Sequence, residues 1–203
     1  MKLTKIKLIN WHIFSNNTIE LDGNTLITGE NASGKSTLMD AIYFVLSAGD
    51  DKHFNKAANE QGKRDLESYL RGKLGSENQM YLRSGTDVIG YVILEFTDNK
   101  NKNHMVLGAE LEIASSVMKK PNFFVINNYS INDEDFIKNK QIVDYRSLKL
   151  ALKSTKHPVD DLPDSKKDKK RAIGRDIFKL ENYSRFFDLL ENAISFKPIP
   201  EVS

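Results

Sequence analysis

Nine consecutive residues, GENASGKST at 29–37, restrict what this chain can fold into more than any other feature. They follow the spacing G-x-x-x-x-G-K-[ST], with Gly29, Gly34, Lys35 and Ser36 in the fixed places. Gly29 and Gly34 permit backbone turns that a side chain would obstruct, so the amides of Glu30, Asn31, Ala32, Ser33 and onward to Ser36 can converge on phosphate oxygens. A helix opening near Lys35 adds the positive end of its dipole at the same point. In that arrangement the Lys35 ammonium reaches the β- and γ-phosphates, the Ser36 hydroxyl ligates Mg²⁺, and Thr37 offers a hydroxyl to the α-phosphate. The flanks agree. NTLIT at 24–28 reads as a strand, and Leu38, Ala41, Ile42, Val45 and Leu46 fall at the spacing of a buried helix face. ATP with Mg²⁺ is the expected ligand.

Strand-like runs elsewhere supply a sheet for this unit. KLTKIKLIN at 2–10 and NTIEL at 17–21 alternate with period two around the turn-rich IFSNN, predicting an antiparallel pair. The polar stretch 48–65 reads as a loop leading to a short helix over 64–71. TDVIGYVILEF at 86–96 and HMVLGAELEIAS at 104–115 form a long hairpin, followed by a strand in PNFFVINNYS at 121–130. In the second arm Met105, Leu107, Ala109, Leu111 and Ile113 share one face, while Glu110 and Glu112 point to the other, and Glu95 in the first arm reads as the solvent face of the hairpin. DYRSLKLALKST at 144–155 is helical. Residues 155–170, charged and holding two prolines, read as a surface linker, and two short helices follow at 171–180 and 182–194. No internal repeat is present.

The formal net charge is only +2, so any nucleic-acid contact must be local. The absence of cysteine excludes disulfides and cysteine-based zinc sites. No apolar run approaches the ~18 residues of a membrane span, and MKLTKIKLIN lacks a signal-peptide core. A cytoplasmic location without membrane contact is expected.

ATP hydrolysis also needs an acid on a strand end and a group that orients water. The nearest match to an apolar run ending in an acid is YVILEF with Glu95, and it lies inside a strand. FFVIN ends in Asn127, which is uncharged, and no Leu-Ser-Gly-Gly-like signature occurs. The chain therefore carries half of an ATPase site. A free-standing P-loop kinase is the alternative from a different class, with Glu95 as its acid and Arg71 and Arg83 as lid arginines; a nucleotide-sensing module is a third.

Two antiparallel strands before the phosphate loop and an antiparallel hairpin after its helix resemble the N-terminal lobe of SMC-like ABC ATPase heads, the group containing SMC, RecF, RecN and MukB. INWHIF, GNTLITGENASGKSTLMDAI, FNKAAN, RDLESYLRGKLG, YLRSG and the late FKPI are similar, over nearly the whole chain, to the JetC family of SMC-like subunits of Wadjet anti-plasmid systems. The resemblance implies an α/β fold: a P-loop NTPase lobe of an ABC-type head with a mixed sheet and an antiparallel β-subdomain. It implies a single lobe over 1–203, with a core at 1–154, the linker at 155–170 and a helical part at 171–203 leading towards a coiled coil. It further implies ATP-driven DNA loop extrusion, with hydrolysis only when a C-terminal lobe and a second head complete the site. Kleisin and winged-helix subunits, a nuclease and DNA are the implied partners. Another SMC-like role, in condensation or DNA repair, stays open.

The resemblance also suggests second-tier residues. Trp11 and His12 match a short aromatic-basic turn near the nucleotide, although such a pair also suits a core edge. Arg64 and Arg71 are similar to an arginine loop near nucleotide or DNA, Arg71 more so. Ala32 stands where such loops often have glycine. Gln141 lacks the flanks of a Mg²⁺-sensing glutamine, so that role is unassigned. Lys166, Lys167, Lys169, Lys170 and Arg171 are candidates for DNA phosphate contact, set against an ordinary solvated linker.

Overall fold

A left-handed residue in the first strand decides which side chains meet the glycine loop. Strand β1 (Lys2–Trp11) sends Ile6 and Leu8 to one face of the sheet and Ile9 to the other. At Asn10 the backbone turns left-handed, with φ 51°, which asparagine tolerates better than most residues. Strict alternation would send Trp11 to the side of Ile9; the irregularity returns it to the side of Leu8.

This computed structural model describes residues 1–50, 54, 65–74, 80–98, 100 and 102–194. After β1 come β2 (Phe14–Glu20), α1 (Lys35–Leu46), α2 (Leu66–Arg71) and the short pair β3 (Lys73–Leu74) and β4 (Met80–Tyr81). The long hairpin is β5 (Val88–Thr97) and β6 (His104–Ala114), followed by β7 (Val117–Met118) and β8 (Asn122–Asn127). Next are α3 (Asp133–Phe136), the hairpin β9 (Ile137–Lys138) and β10 (Gln141–Ile142), then α4 (Tyr145–Lys153) and β11 (Val159–Asp161). The chain continues through α5 (Lys166–Arg171), a π-helical stretch Ala172–Ile177, and α6 (Tyr183–Ile194). The main sheet runs β11-β8-β6-β5-β1-β2, with β7 pairing the end of β6.

Helices cover both faces. One core joins Leu38, Ala41, Phe44 and Val45 of α1 to Leu8, Val92, Leu94, Leu107 and Ala109 of the sheet, with Ile173 and Phe187 closing it. The other joins Ile9, Tyr91, Ile93, Val106, Phe124 and Ile126 to Phe136, Tyr145, Leu148 and Leu152. The second layer corrects the expectation that Glu95 faces solvent and buries Glu110 as well: each is 2% exposed. The alternation was genuine, but its polar positions are buried and satisfied. Lys7 meets Asp133 at 2.7 Å and Thr18 at 3.0 Å. Glu95 accepts from the Ile131 amide at 2.8 Å and from Ser130, with His104 Nδ1 at 2.8 Å.

Three further expectations change. NTLIT forms no strand; Leu26 is 86% exposed, and a strand cannot persist without a partner for its amides and carbonyls. Every strand pairing among the described residues is antiparallel, so the expected mixed sheet is not realised there. The charged segment 155–170 is not an open linker: Val159 packs in the core, β11 pairs β8, and Ser165 caps α5. The β1–β2 connection is also tighter than IFSNN suggested, with Trp11 already opposite Phe14.

Glu110 is buried with one side-chain donor, Asn122 Nδ2 at 2.8 Å, and no cation pairs with it among the described residues. Burial pushes its carboxyl up to about 7 from an ordinary 4.5. The folded state therefore retains a proton between those values that the unfolded chain releases, so stability falls as pH rises from 4.5 to 7. Glu110→Gln keeps an acceptor for Asn122 and should remove that slope. Unfolding in urea at pH 8 should show the variant more stable by about 1–3 kcal/mol.

Candidate nucleotide-binding site

The glycine loop closes on its own lysine. Lys35 Nζ donates to the carbonyls of Gly29 at 2.7 Å and Glu30 at 2.6 Å, and lies 3.5 Å from Ser33 Oγ. Residues 29–33 and Ser36 are exposed, so the loop's outer surface is open to a ligand. Helix α1 begins at Lys35 with Gly34 as its N-cap and no side-chain cap, leaving first-turn amides for an external acceptor.

A cradle for phosphate requires backbone close to the ligand, and the glycines meet that test. A Cβ on Gly29 would lie 2.7 Å from Ser33 Oγ, and one on Gly34 (φ 96°) would lie 2.7 Å from Ile13 Cδ1. Ala32 also sits in the left-handed region, φ 65°, where a side chain costs about 1 kcal/mol and glycine would be relaxed. Phosphate oxygens fit this concave run of amides with an ammonium beside it, and Ser36 is the hydroxyl placed to hold a Mg²⁺ ion with them.

Beneath the loop lies a bed of buried side chains. Trp11 is 1% exposed, donates its indole N–H to the Thr37 carbonyl at 2.9 Å and stacks on Phe44 with ring centroids 5.7 Å apart. Tyr69, from α2, packs against Trp11 and donates its hydroxyl to Asp40 on α1. His12 and Arg71 are each 7% exposed, and Thr37 is 4% exposed. Trp11, His12, Arg71 and Thr37, the candidates for nucleotide contact, are thus all buried here, and of them Trp11 holds the first turn of α1 through the Thr37 carbonyl. Arg71 is committed to Glu67 at 2.8 Å and to the Gly85 carbonyl at 2.8 Å.

Arg83 does most to fix the β1–β2 turn, and the sequence singled it out only for the kinase alternative. Its guanidinium donates to Asn10 Oδ1 at 2.7 Å, to the His12 carbonyl at 2.9 Å, to Leu70 at 3.1 Å and to Phe14 at 3.2 Å. The turn it holds carries Ile13 and Phe14, which abut Gly34. Nothing in the spacing of YLRSG signals this role, because all its partners except Leu70 lie some 70 residues away.

The kinase alternative loses its parts. Glu95 pairs with Lys5, six residues along β1 from Trp11, or about 20 Å at strand spacing, and on the face opposite α1. Arg71 and Arg83 are both engaged in holding backbone. Gln141 sits on β10 in the layer opposite the loop. The basic run disperses: Lys166 pairs with Asp50 at 2.9 Å, Lys169 is buried over Phe123, Lys170 lies over Phe187, and Arg171 turns to Asp168. Lys167 is exposed, and Arg64 lies outside the described residues. No cluster able to hold a metal through His, Asp or Glu occurs among the described residues, and no described helix is long and apolar enough to cross a membrane.

Residues 3–61 match the family described as the P-loop containing region of AAA domain. Over 197 residues the chain is 24% identical to a protein of Thermoplasma acidophilum named DNA double-strand break repair Rad50 ATPase, covering 96% of this chain and 20% of that protein. The chain thus spans about a fifth of the length of that curated relative. It carries a P-loop region of the kind found in SMC- and Rad50-like ATPases.

Arg83→Ala should lower stability by about 2 kcal/mol, since three carbonyls and the Asn10 amide oxygen lose a charged donor that is partly solvent-screened. Arg83→Lys should recover less than half, because one ammonium cannot reproduce the planar fork. Chemical denaturation of the three proteins checks the order.

Proposed function

We propose that this chain is the ATP- and Mg²⁺-binding half of an SMC/Rad50-like ATPase head, with Gly29 to Lys35 around the phosphates and Ser36 on the metal. One observation carries the reading. The loop and the start of α1 are built for phosphate, while the segment entering that loop stands unpaired, with Leu26 86% exposed. A groove of about 530 Å³ separates this segment from β1 and α1, lined by Leu3, Ile6, Leu21, Ile27 and Ile42. That surface suits a further lobe whose strands would pair with 24–28 and bring the acid lacking near the loop. In this reading the described residues form one lobe, and α6 leads towards a coiled coil.

ATP would bind to the chain alone yet turn over very slowly, because holding a ground state does not lower the barrier. Hydrolysis would need the second lobe and a second head. DNA would be the polymer on which the completed ATPase works. The stretches INWHIF, FNKAAN and RDLESYLRGKLG favour the finer proposal of loop extrusion in anti-plasmid defence, with kleisin, winged-helix and nuclease partners. The similarity to a protein named for double-strand break repair favours repair as the second reading. Deleting the gene separates the two: plasmid retention would rise under the first, and sensitivity to DNA breaks under the second.

Calorimetry should show Mg·ATP binding by the chain, weakened roughly ten- to a hundredfold in Lys35→Ala by loss of a charge-assisted hydrogen bond. Equal affinities would overturn the assignment of the loop. Steady turnover by the chain alone, lost in Glu95→Gln, would instead favour a self-sufficient enzyme.

A further inference from the structure

A groove away from the phosphate loop opens beside β11, the end strand of the sheet. Its volume is about 1020 Å³; one wall is α4, the other is the segment 158–164, and Lys169 of α5 reaches its end. Arg146, Lys149 and Lys153 fall at i, i+3 and i+7 on α4, which places them in one stripe about 10 Å long.

The acids of the groove neutralise only Lys149 of this stripe and leave Arg146 and Lys153 without an ion pair among the described residues. Asp161 is taken by Lys149 and by the Tyr145 hydroxyl at 2.5 Å, and Asp164 by Lys120 at 2.7 Å. Lys169 is only 7% exposed, and its ammonium lies 4.6 Å above the Phe123 ring with no ion pair among the described residues. A buried ammonium whose nearest acid, Asp164, is already paired with Lys120 leaves room for a further anion. Burial, with Lys120 nearby, holds its pKa below the ordinary lysine value.

The walls are apolar as well as basic. Pro121, Pro158 and Pro163 line the groove rigidly, and Leu150 stands 63% exposed at its lip, between the α4 cations. Bases have no ring to stack upon, because Phe123 is covered by Lys169 and Tyr145 is 9% exposed and tied to Asp161. The charge and shape suit an extended chain with spaced carboxylates and an apolar side chain between them.

We infer that the groove between α4 and β11 docks an acidic, leucine-containing peptide segment of a partner protein. The inference stands independently of the nucleotide site. Arg146 and Lys153 face the incoming carboxylates, Leu150 contacts the apolar residue, and Lys169 adds a further positive charge at the end of the groove.

The test is fluorescence anisotropy with a fluorescein-labelled peptide of about eight residues, glutamate-rich with one central leucine, long enough at ~3.3 Å per residue to span the stripe. Arg146→Glu/Lys153→Glu, both at exposed positions, should weaken binding about tenfold, the effect of two charge pairs. Lys138→Glu/Lys140→Glu, exposed on the β9–β10 hairpin, carries the same charge change and should leave affinity within about twofold. Circular dichroism of both variants verifies folding, and Leu150→Asp should also weaken the complex. A single-stranded oligonucleotide of equal charge should not displace the peptide. Absence of saturable binding, equal loss in the two double variants, or displacement by the oligonucleotide at peptide concentrations would overturn the proposal.

Discussion

The arrangement around the phosphate loop depends on how β1 ends. A strand that kept its alternation would bury Trp11 among the α3 and α4 side chains and leave α1 without its anchor. The left-handed turn at Asn10 prevents this, and the Asn10 side chain secures it, donating to the Ile89 carbonyl at 2.7 Å and accepting from Arg83. Trp11 then holds the first turn of α1 through the Thr37 carbonyl. The loop's geometry is thus set from beneath, by residues that a ligand need not touch.

The second face of the sheet is built on a different principle. Its central strands carry Lys7, Glu95 and Glu110 in positions that the helical layer buries. Lys7 and Glu95 are offset by charged or hydrogen-bonded partners, so breaking one partner would cost more than the pair contributes. Glu110 has no cation beside it among the described residues, and burial raises its pKa. That group makes the distal layer sensitive to pH, while the aromatic cluster beneath the loop is largely apolar.

Much of this was legible in the sequence, for definite reasons. The glycine loop and α1 were readable because fixed residues, periodicity and flanks agreed; Leu38, Ala41 and Val45 are buried where the period placed them. The long hairpin β5–β6 was readable from its alternation and its polar turn. The distal layer was hidden, because a buried glutamate and a solvent-facing one look alike in a strand pattern. Residues 155–170 were read as a linker from charge and prolines, whereas Val159 and Lys169 pack against β8 through long-range contacts. Trp11, His12 and Arg71 are buried, which the sequence pattern alone did not show. Arg83 was illegible because its role depends on carbonyls brought together by the fold alone.

The central claim is that a phosphate-binding loop has formed while the segment leading into it, 24–28, stands unpaired. Hydrogen–deuterium exchange at amides 24–28 tests this most directly, in the chain alone and with a downstream lobe added in trans. The account predicts exchange near the free-peptide rate in the isolated chain, slowed about a hundredfold or more once the lobe binds and ATP turnover appears. Slow exchange at these amides in the isolated chain, or unchanged fast exchange while the added lobe supports turnover, would contradict it.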